Sequence, residues 1–365
     1  MTRLKQAGGI FMAKTNMPEF ALWWETGNRV FGFTQNPWKV GHTAGGSSGG
    51  EASAIAAGLS PLGVGSDVGG SIRQPAHYCG IVGLKATHGR IPLTGHWPET
   101  LLRFMHVGPM ARTVRDVALA LALLAGPDGH DPYALPIPVP SVPDLQASLP
   151  RLRIGWCAAG PFAPVAPEVQ DTVARAASAL AELGCQVEPV SLKSWEQWPA
   201  QNISLALFTA EGGQYLEPII AGRQAELAPS MHWRLSLPTP TLREYLEALA
   251  ACEALRHDMA QYFTQYDLLL CPTGTVPAHP HNASELRIGN QTVVPRHTIR
   301  ATVPFDLTGS PAISVPFGIS PEGLPIGVQL VARHFDEPTL LRVAAALEAL
   351  HKTSQRCPPL AVPGQ

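Results

Sequence analysis

Apolar residues recur at three- and four-residue spacing in several stretches. Val117, Leu121 and Leu124 predict a helix over 113–124, with Thr113 placed to cap it and Gly126-Pro127 to stop it. Val169, Val173, Ala176, Leu180 and Leu183 predict another, ending at Gly184. A long helix is predicted over 242–266, with Thr241 as its cap, and a closing one over 339–350. The small residues of 51–57 predict a short helix starting at a glycine-serine loop. Short apolar runs predict strands at 9–13, 152–156, 185–190, 267–271, 311–316 and 326–331. A turn around Glu322-Gly323 joins the last two.

Strand, helix and strand follow one another from 152 to 190. That order predicts parallel pairing and a sheet covered by helices, an α/β class. The stretch 127–150, rich in proline (Pro136, Pro138, Pro140, Pro143), reads as a connector within a single domain spanning 1–365. With 45% apolar and 15% charged residues, the 365-residue chain has the material for a large core. A formal net charge of -2 gives no basis for binding nucleic acid or an anionic membrane.

The N-terminus lacks the long apolar run of a signal peptide, and the longest helical apolar run, 117–125, is about half of what spans a bilayer. A cytoplasmic protein without a transmembrane segment is expected. Six scattered cysteines without CxxC spacing read as reduced, mostly buried thiols. His279-Pro280-His281 has no third ligand at useful spacing, so it reads as a surface loop and no metal is expected. Trp23, Trp24 and Trp38 read as packing residues.

Two glycine-serine segments hold the candidate chemistry. Ser47 and Ser48 lie in Gly45-Gly46-Ser47-Ser48-Gly49-Gly50, and Ser71 follows Asp67-Val68-Gly69-Gly70. Glycines before a serine let backbone N–H groups approach an oxyanion with no Cβ in the way. The first segment alone also fits a flexible linker. It matches the nucleophile-elbow pattern too, but 38–44 is a poor buried strand to precede one. No Gly-Lys-Ser/Thr follows, as a phosphate loop requires. A Ser-His relay through His77 is a further alternative from the residues alone.

The run from Asn36-Pro37-Trp38-Lys39 through both serine segments to Gln74-Pro75-Ala76 and Cys79-Gly80-Ile81-Val82-Gly83-Leu84-Lys85 resembles the amidase signature family. So do Gly108-Pro109-Met110, Tyr266-Asp267-Leu268-Leu269, Gly309-Ser310-Pro311-Ala312 and Gly323-Leu324-Pro325-Ile326-Gly327. The offset of 24 residues between Ser47 and Ser71 follows the family pattern. Within the family, Asn-Pro-Trp-Lys, Glu51 and Ser60-Pro61-Leu62-Gly63 are most similar to the fatty-acid amide hydrolase-like branch. Ala13 and Ala86 are small departures, for glycine and proline.

The resemblance implies a three-layer α/β/α amidase signature fold with a central mixed β-sheet covered by helices on both faces. It implies hydrolysis of a small-molecule amide to carboxylate and ammonia or amine, without cofactor, by a Ser-Ser-Lys triad. Ser71 would be the nucleophile and Ser47 the bridging serine, with a cis peptide bond beside it. Val68, Gly69 and Gly70 would form the oxyanion hole. Ser48 would support it, and Asp67 and Arg73 would pin the loop, a surface ion pair being the plain alternative for these two.

The family carries its lysine in a Val-Lys-Asp type strand several tens of residues before the first serine loop, upstream of Met1 here. Lys14, Lys39 and Lys85 match other parts of the pattern, with Lys39 the least implausible substitute base. An N-terminally truncated chain, with apolar surface exposed near 9–13, is therefore expected. An inactive amidase-fold protein is the first alternative. The glutamine-dependent chain of an aminoacyl-tRNA amidotransferase, its A-type component, is the second, although 97–107 lacks that component's Ala-Ser-Ser-Leu-Asp-Gln type segment. A homodimer remains open.

Overall fold

Leu268 and Leu270 pack into one apolar cluster, while Leu269 and Cys271 pack into another. Alternation within a strand sends side chains to opposite faces, and all four are buried, so this strand is covered on both sides. The structure, a computed structural model, describes residues 1–351 and 356–359.

The strand belongs to an eight-stranded sheet built from β1 (Leu62–Asp67), β2 (Val82–Lys85), β3 (His106–Ala111), β4 (Arg153–Trp156), β5 (Gln186–Pro189), β6 (Leu268–Pro272), β7 (Ala312–Ile319) and β8 (Pro325–Ala332). Their order across the sheet is β1-β3-β2-β7-β8-β6-β4-β5. The β6-β4 and β4-β5 pairs are parallel and the rest antiparallel, so the sheet is mixed.

On one face pack α3 (Val114–Leu124), α4 (Pro167–Glu182) and α7 (Glu337–His351), through Val117, Leu121, Val173, Leu180 and Leu341. The other face is covered by α1 (Gly49–Ala56) and α2 (Arg73–Cys79), and by α5 (Ala200–Ile220) and α6 (Leu242–Gln265). This is the expected three-layer α/β/α architecture with a central mixed sheet. Thr113 caps α3 by accepting from Asp116 N–H, and Thr241 with Glu244 forms a capping box on α6. The proline-rich 127–150 forms no helix or strand.

The predicted strand at 9–13 is absent. Ile10, Phe11 and Met12 are exposed in an irregular segment, because no neighbouring strand takes their backbone groups. The expected apolar surface does lie there. Five cysteines are buried and unpaired, and Cys357 is exposed. No helix among the described residues is long and apolar enough to cross a membrane.

Candidate active site

β1 ends at Asp67, and the chain turns through Val68-Gly69-Gly70-Ser71 before entering α2. The Asp67 side chain organises that turn. Its Oδ1 accepts from Gly70 N–H at 2.6 Å, and its Oδ2 accepts from Ile72 N–H at 3.1 Å. Arg73 closes a fork on the same carboxylate, both contacts at 3.0 Å, and reaches Asp306 at 2.8 Å. It also donates to Thr302 O and Gln329 Oε1. Both Asp67 and Arg73 are fully buried, which overturns the surface-pair alternative. Burial alone would raise the Asp67 pKa, but the charge and hydrogen bonds of Arg73 hold it at about 2. Asp306 goes the other way, pushed up by burial and by the neighbouring Asp67 charge.

Glycine is required at two positions. Gly70 has φ +115°, and a Cβ there would lie 2.3 Å from Thr302 Oγ1. At Gly46 a Cβ would lie 2.7 Å from the Glu25 and Trp23 backbone. The Gly46–Ser47 peptide bond is cis, and Ser47 is buried. Thr26 steadies this loop: its hydroxyl lies 2.8 Å from Gly45 O and 3.1 Å from Ser47 O, and accepts from Gly49 N–H. Ser48 N–H donates to Ser71 O at 3.1 Å, joining the two serine loops. The Ser48 hydroxyl sits 3.4 Å from Ser66 O.

The turn opens into a cavity of about 60 Å³, lined by Ser71, Val68, Gly69 and Gly46. Trp23 and Trp24, stacked at 3.7 Å, form one wall, with Trp233 edge-on to both. These two tryptophans therefore line the site, contrary to the packing role expected of them. Trp38 does pack, donating to Cys79 O. Thr302 Oγ1 donates to Gly69 O at 2.9 Å. Gly70 N–H is taken by Asp67, whereas no described residue accepts from the N–H of Gly69 or Ser71.

His77 is not turned toward Ser71. Its Nδ1 accepts from Gly327 N–H at 2.8 Å and its Nε2 lies 3.0 Å from Val276 O. Burial pulls its pKa down to about 4. Both nitrogens are engaged by backbone, so the Ser-His relay falls. Lys39 forms a surface ion pair with Glu322 at 2.5 Å. Lys85 is buried, donates to Ser310 O at 2.5 Å, and is drawn down to about 7 by burial. Neither lysine lines the cavity. His279 is buried beside Tyr78 rather than on a surface loop, and no metal-binding cluster occurs among the described residues.

Sequence reasoning missed Trp233, Arg234, Arg296, Thr302, Asp306 and Gln329. Arg73 and Asp306 are 233 positions apart, so no local spacing signals their contact.

The profile of the family described as Amidase matches residues 1–341. The chain is 36% identical to the A-type component of the glutamyl-tRNA(Gln) amidotransferase of Roseiflexus sp. (strain RS-1), over 99% of this chain and 78% of that protein. It superposes on a 6-aminohexanoate cyclic dimer hydrolase with TM-score 0.88 and 30% identity, covering 99% of this chain and 79% of that one. It also superposes on a bacterial aryl acylamidase with TM-score 0.87 and 25% identity, covering 99% and 77%. In sequence and in fold, the chain belongs to the amidase signature family.

Proposed function

We propose that this protein is a serine amidase, converting R–CO–NH–R′ and water to a carboxylic acid and an amine. Ser71 Oγ attacks the carbonyl carbon and the π electrons move onto oxygen. The oxyanion is met by the N–H groups of Gly69 and Ser71, with Val68 beside them. Gly70 serves by shaping the turn, its own N–H being committed to Asp67. Ser47 takes the Ser71 proton and passes it to the departing nitrogen as the C–N bond breaks. Water then cleaves the acyl ester by the reverse proton route. By the resemblance to the family, the relay's base is a lysine.

One observation carries this reading. The Val68-to-Ser71 turn faces the cavity with Gly69 and Ser71 N–H groups unspent, while a buried Asp67-Arg73 pair fixes its backbone. The test is turnover of an aryl amide by residues 1–365 and by a form extended upstream through the family's lysine strand. Turnover in the extended form that Ser71→Ala abolishes supports it, and turnover surviving Ser71→Ala refutes it.

The identity to the amidotransferase components favours a second reading, glutamine-fed ammonia transfer. Ammonia release from glutamine exceeding aryl-amide turnover would select it.

A further inference from the structure

Arg256, Met259, Ala260 and Phe263 recur at three- and four-residue spacing along α6, so they share one face of that helix. All four line a cavity of about 640 Å³, far larger than the 60 Å³ cavity at Ser71. The rest of its wall comes from loops at the ends of sheet strands. His88 follows β2, Thr308-Gly309-Ser310 precedes β7, and Arg333-His334-Phe335 follows β8. Leu135 of the proline-rich connector completes the wall, and its N–H donates to Gly89 O at 3.0 Å. The two cavities share no lining residue. Sites for small organic ligands span about 300–1,000 Å³ and combine an apolar lining with a few polar groups.

Three arginines line this cavity, Arg103, Arg256 and Arg333, and no acidic residue does. None of the three is a stranded core charge. Each keeps a third or more of its side chain in solvent and pairs with an acid outside the lining: Arg103 with Glu211, Arg256 with Glu253 at 2.6 Å, and Arg333 with Asp267 at 2.8 Å. What remains is donor capacity, since a guanidinium has five N–H groups in a planar fork. Arg103 spends Nη2 on Glu211 and Tyr245, and its Nε is buried with no hydrogen-bond partner. Arg256 spends Nη1 on Glu253 and Nε on Leu307 O, so its Nη2 has no acceptor among the described residues. Arg333 spends Nη2 on Asp267 and turns Nε toward Asp336, which leaves Nη1 in the same position. A carboxylate accepts from such forks. The paired acids already balance the arginine charges, which favours one negative charge over a polyphosphate. Met259, Phe263 and Phe335 supply apolar surface for the rest of a ligand. Phe335 is held at φ +65°, an uncommon conformation for a bulky residue, with Arg90 over its ring at 4.8 Å and its N–H donating to Thr87 Oγ1 at 2.8 Å.

We infer that this cavity is a second ligand site, separate from Ser71, which takes organic monocarboxylates with a compact apolar body. The carboxylate meets the open donors of Arg103 and Arg256, Arg333 stands at the rim, and the body lies against Met259, Phe263 and Phe335. The inference does not depend on reading Ser71 as the acylated residue.

The test is titration calorimetry on residues 1–365 with 3-phenylpropionate, its neutral analogue 3-phenylpropanol, acetate and inorganic phosphate. 3-Phenylpropionate should bind once per chain, roughly 10- to 100-fold more tightly than the alcohol, the range of a charge-assisted hydrogen bond. It should also outbind acetate, which lacks the apolar body, and should weaken as salt rises. Ala260 is exposed on α6, so Ala260→Trp fills the cavity without touching the core and should abolish binding. Arg256→Gln should weaken the acid by roughly 10-fold and leave the alcohol unchanged. Equal affinity for acid and alcohol in the parent protein, or binding of neither, overturns the inference without any need of the variants. So does phosphate binding more tightly than the acid. Full affinity kept by both Ala260→Trp and Arg256→Gln overturns it too, because the acid then binds elsewhere, the Ser71 cavity included.

Discussion

Asp67→Asn attacks the oxyanion turn at its anchor. The carboxylate meets Gly70 N–H, Ile72 N–H and both arms of the Arg73 fork. Asparagine keeps one acceptor oxygen and turns the other position into a donor facing N–H groups. Arg73 is then left with Asp306, whose own carboxyl is held toward its neutral form. Breaking one side of a buried pair costs about 3–5 kcal/mol. Unfolding entropy of about 2.1 cal/mol/K per residue gives about 0.8 kcal/mol/K for a chain of this length. Tm should therefore fall by about 4–6 °C in calorimetry at pH 7. The turn should loosen with it, so fluorophosphonate labelling of Ser71 should slow by roughly 10-fold or more. Lys39→Ala is the matched control. Its pair with Glu322 is half in solvent, so a Tm change of about 1 °C or less and unchanged labelling are expected. An Asp67→Asn protein melting within about 1 °C of the parent, with unaltered labelling, would refute the claim that this carboxylate holds the turn.

Gly70→Ala should lower Tm and suppress labelling. It forces a Cβ to within 2.3 Å of Thr302 Oγ1 at φ +115°, and such backbone strain costs about 1–3 kcal/mol before the clash is counted; unchanged labelling would contradict this. His77 gives a pH signature. Its imidazole titrates at about 4 when folded against 6.5 when free, so the unfolded chain binds the extra proton between those values. The contribution is complete above pH 6.5 and drains away toward pH 4, by about 3 kcal/mol in all. His77→Asn should flatten that part of the stability curve in denaturant titrations, and an unchanged slope would count against the buried neutral ring.

Most of the helices were legible because their apolar spacing is clean and their ends are marked. Thr113 and Gly126-Pro127 bracket α3, and the capping box at Thr241 and Glu244 opens α6. α5 was not, since its apolar positions run around the helix and Gly212, Gly213 and Pro218 interrupt the pattern. The strand expected at 9–13 failed because an apolar run predicts burial only where a partner exists, and here none pairs with it.

The serine loops could be read from their glycines. What surrounds them could not. Asp306, Thr302 and Gln329 reach Arg73 and Gly69 across more than 200 residues of chain. Arg234 and Arg296 look like ordinary surface arginines until the fold places them on the wall of the Ser71 cavity. Even Asp67 and Arg73 kept a surface alternative until their burial excluded it.

The most direct measurement is peptide mapping after reaction with a fluorophosphonate, on the parent protein extended upstream through the lysine strand and on its Ser71→Ala and Ser47→Ala variants. The adduct should sit on Ser71, vanish in Ser71→Ala, and form far more slowly in Ser47→Ala, whose missing hydroxyl carries the proton without being acylated. An adduct on Ser48, or one that persists at full rate in Ser71→Ala, would contradict the assignment of Ser71 as nucleophile.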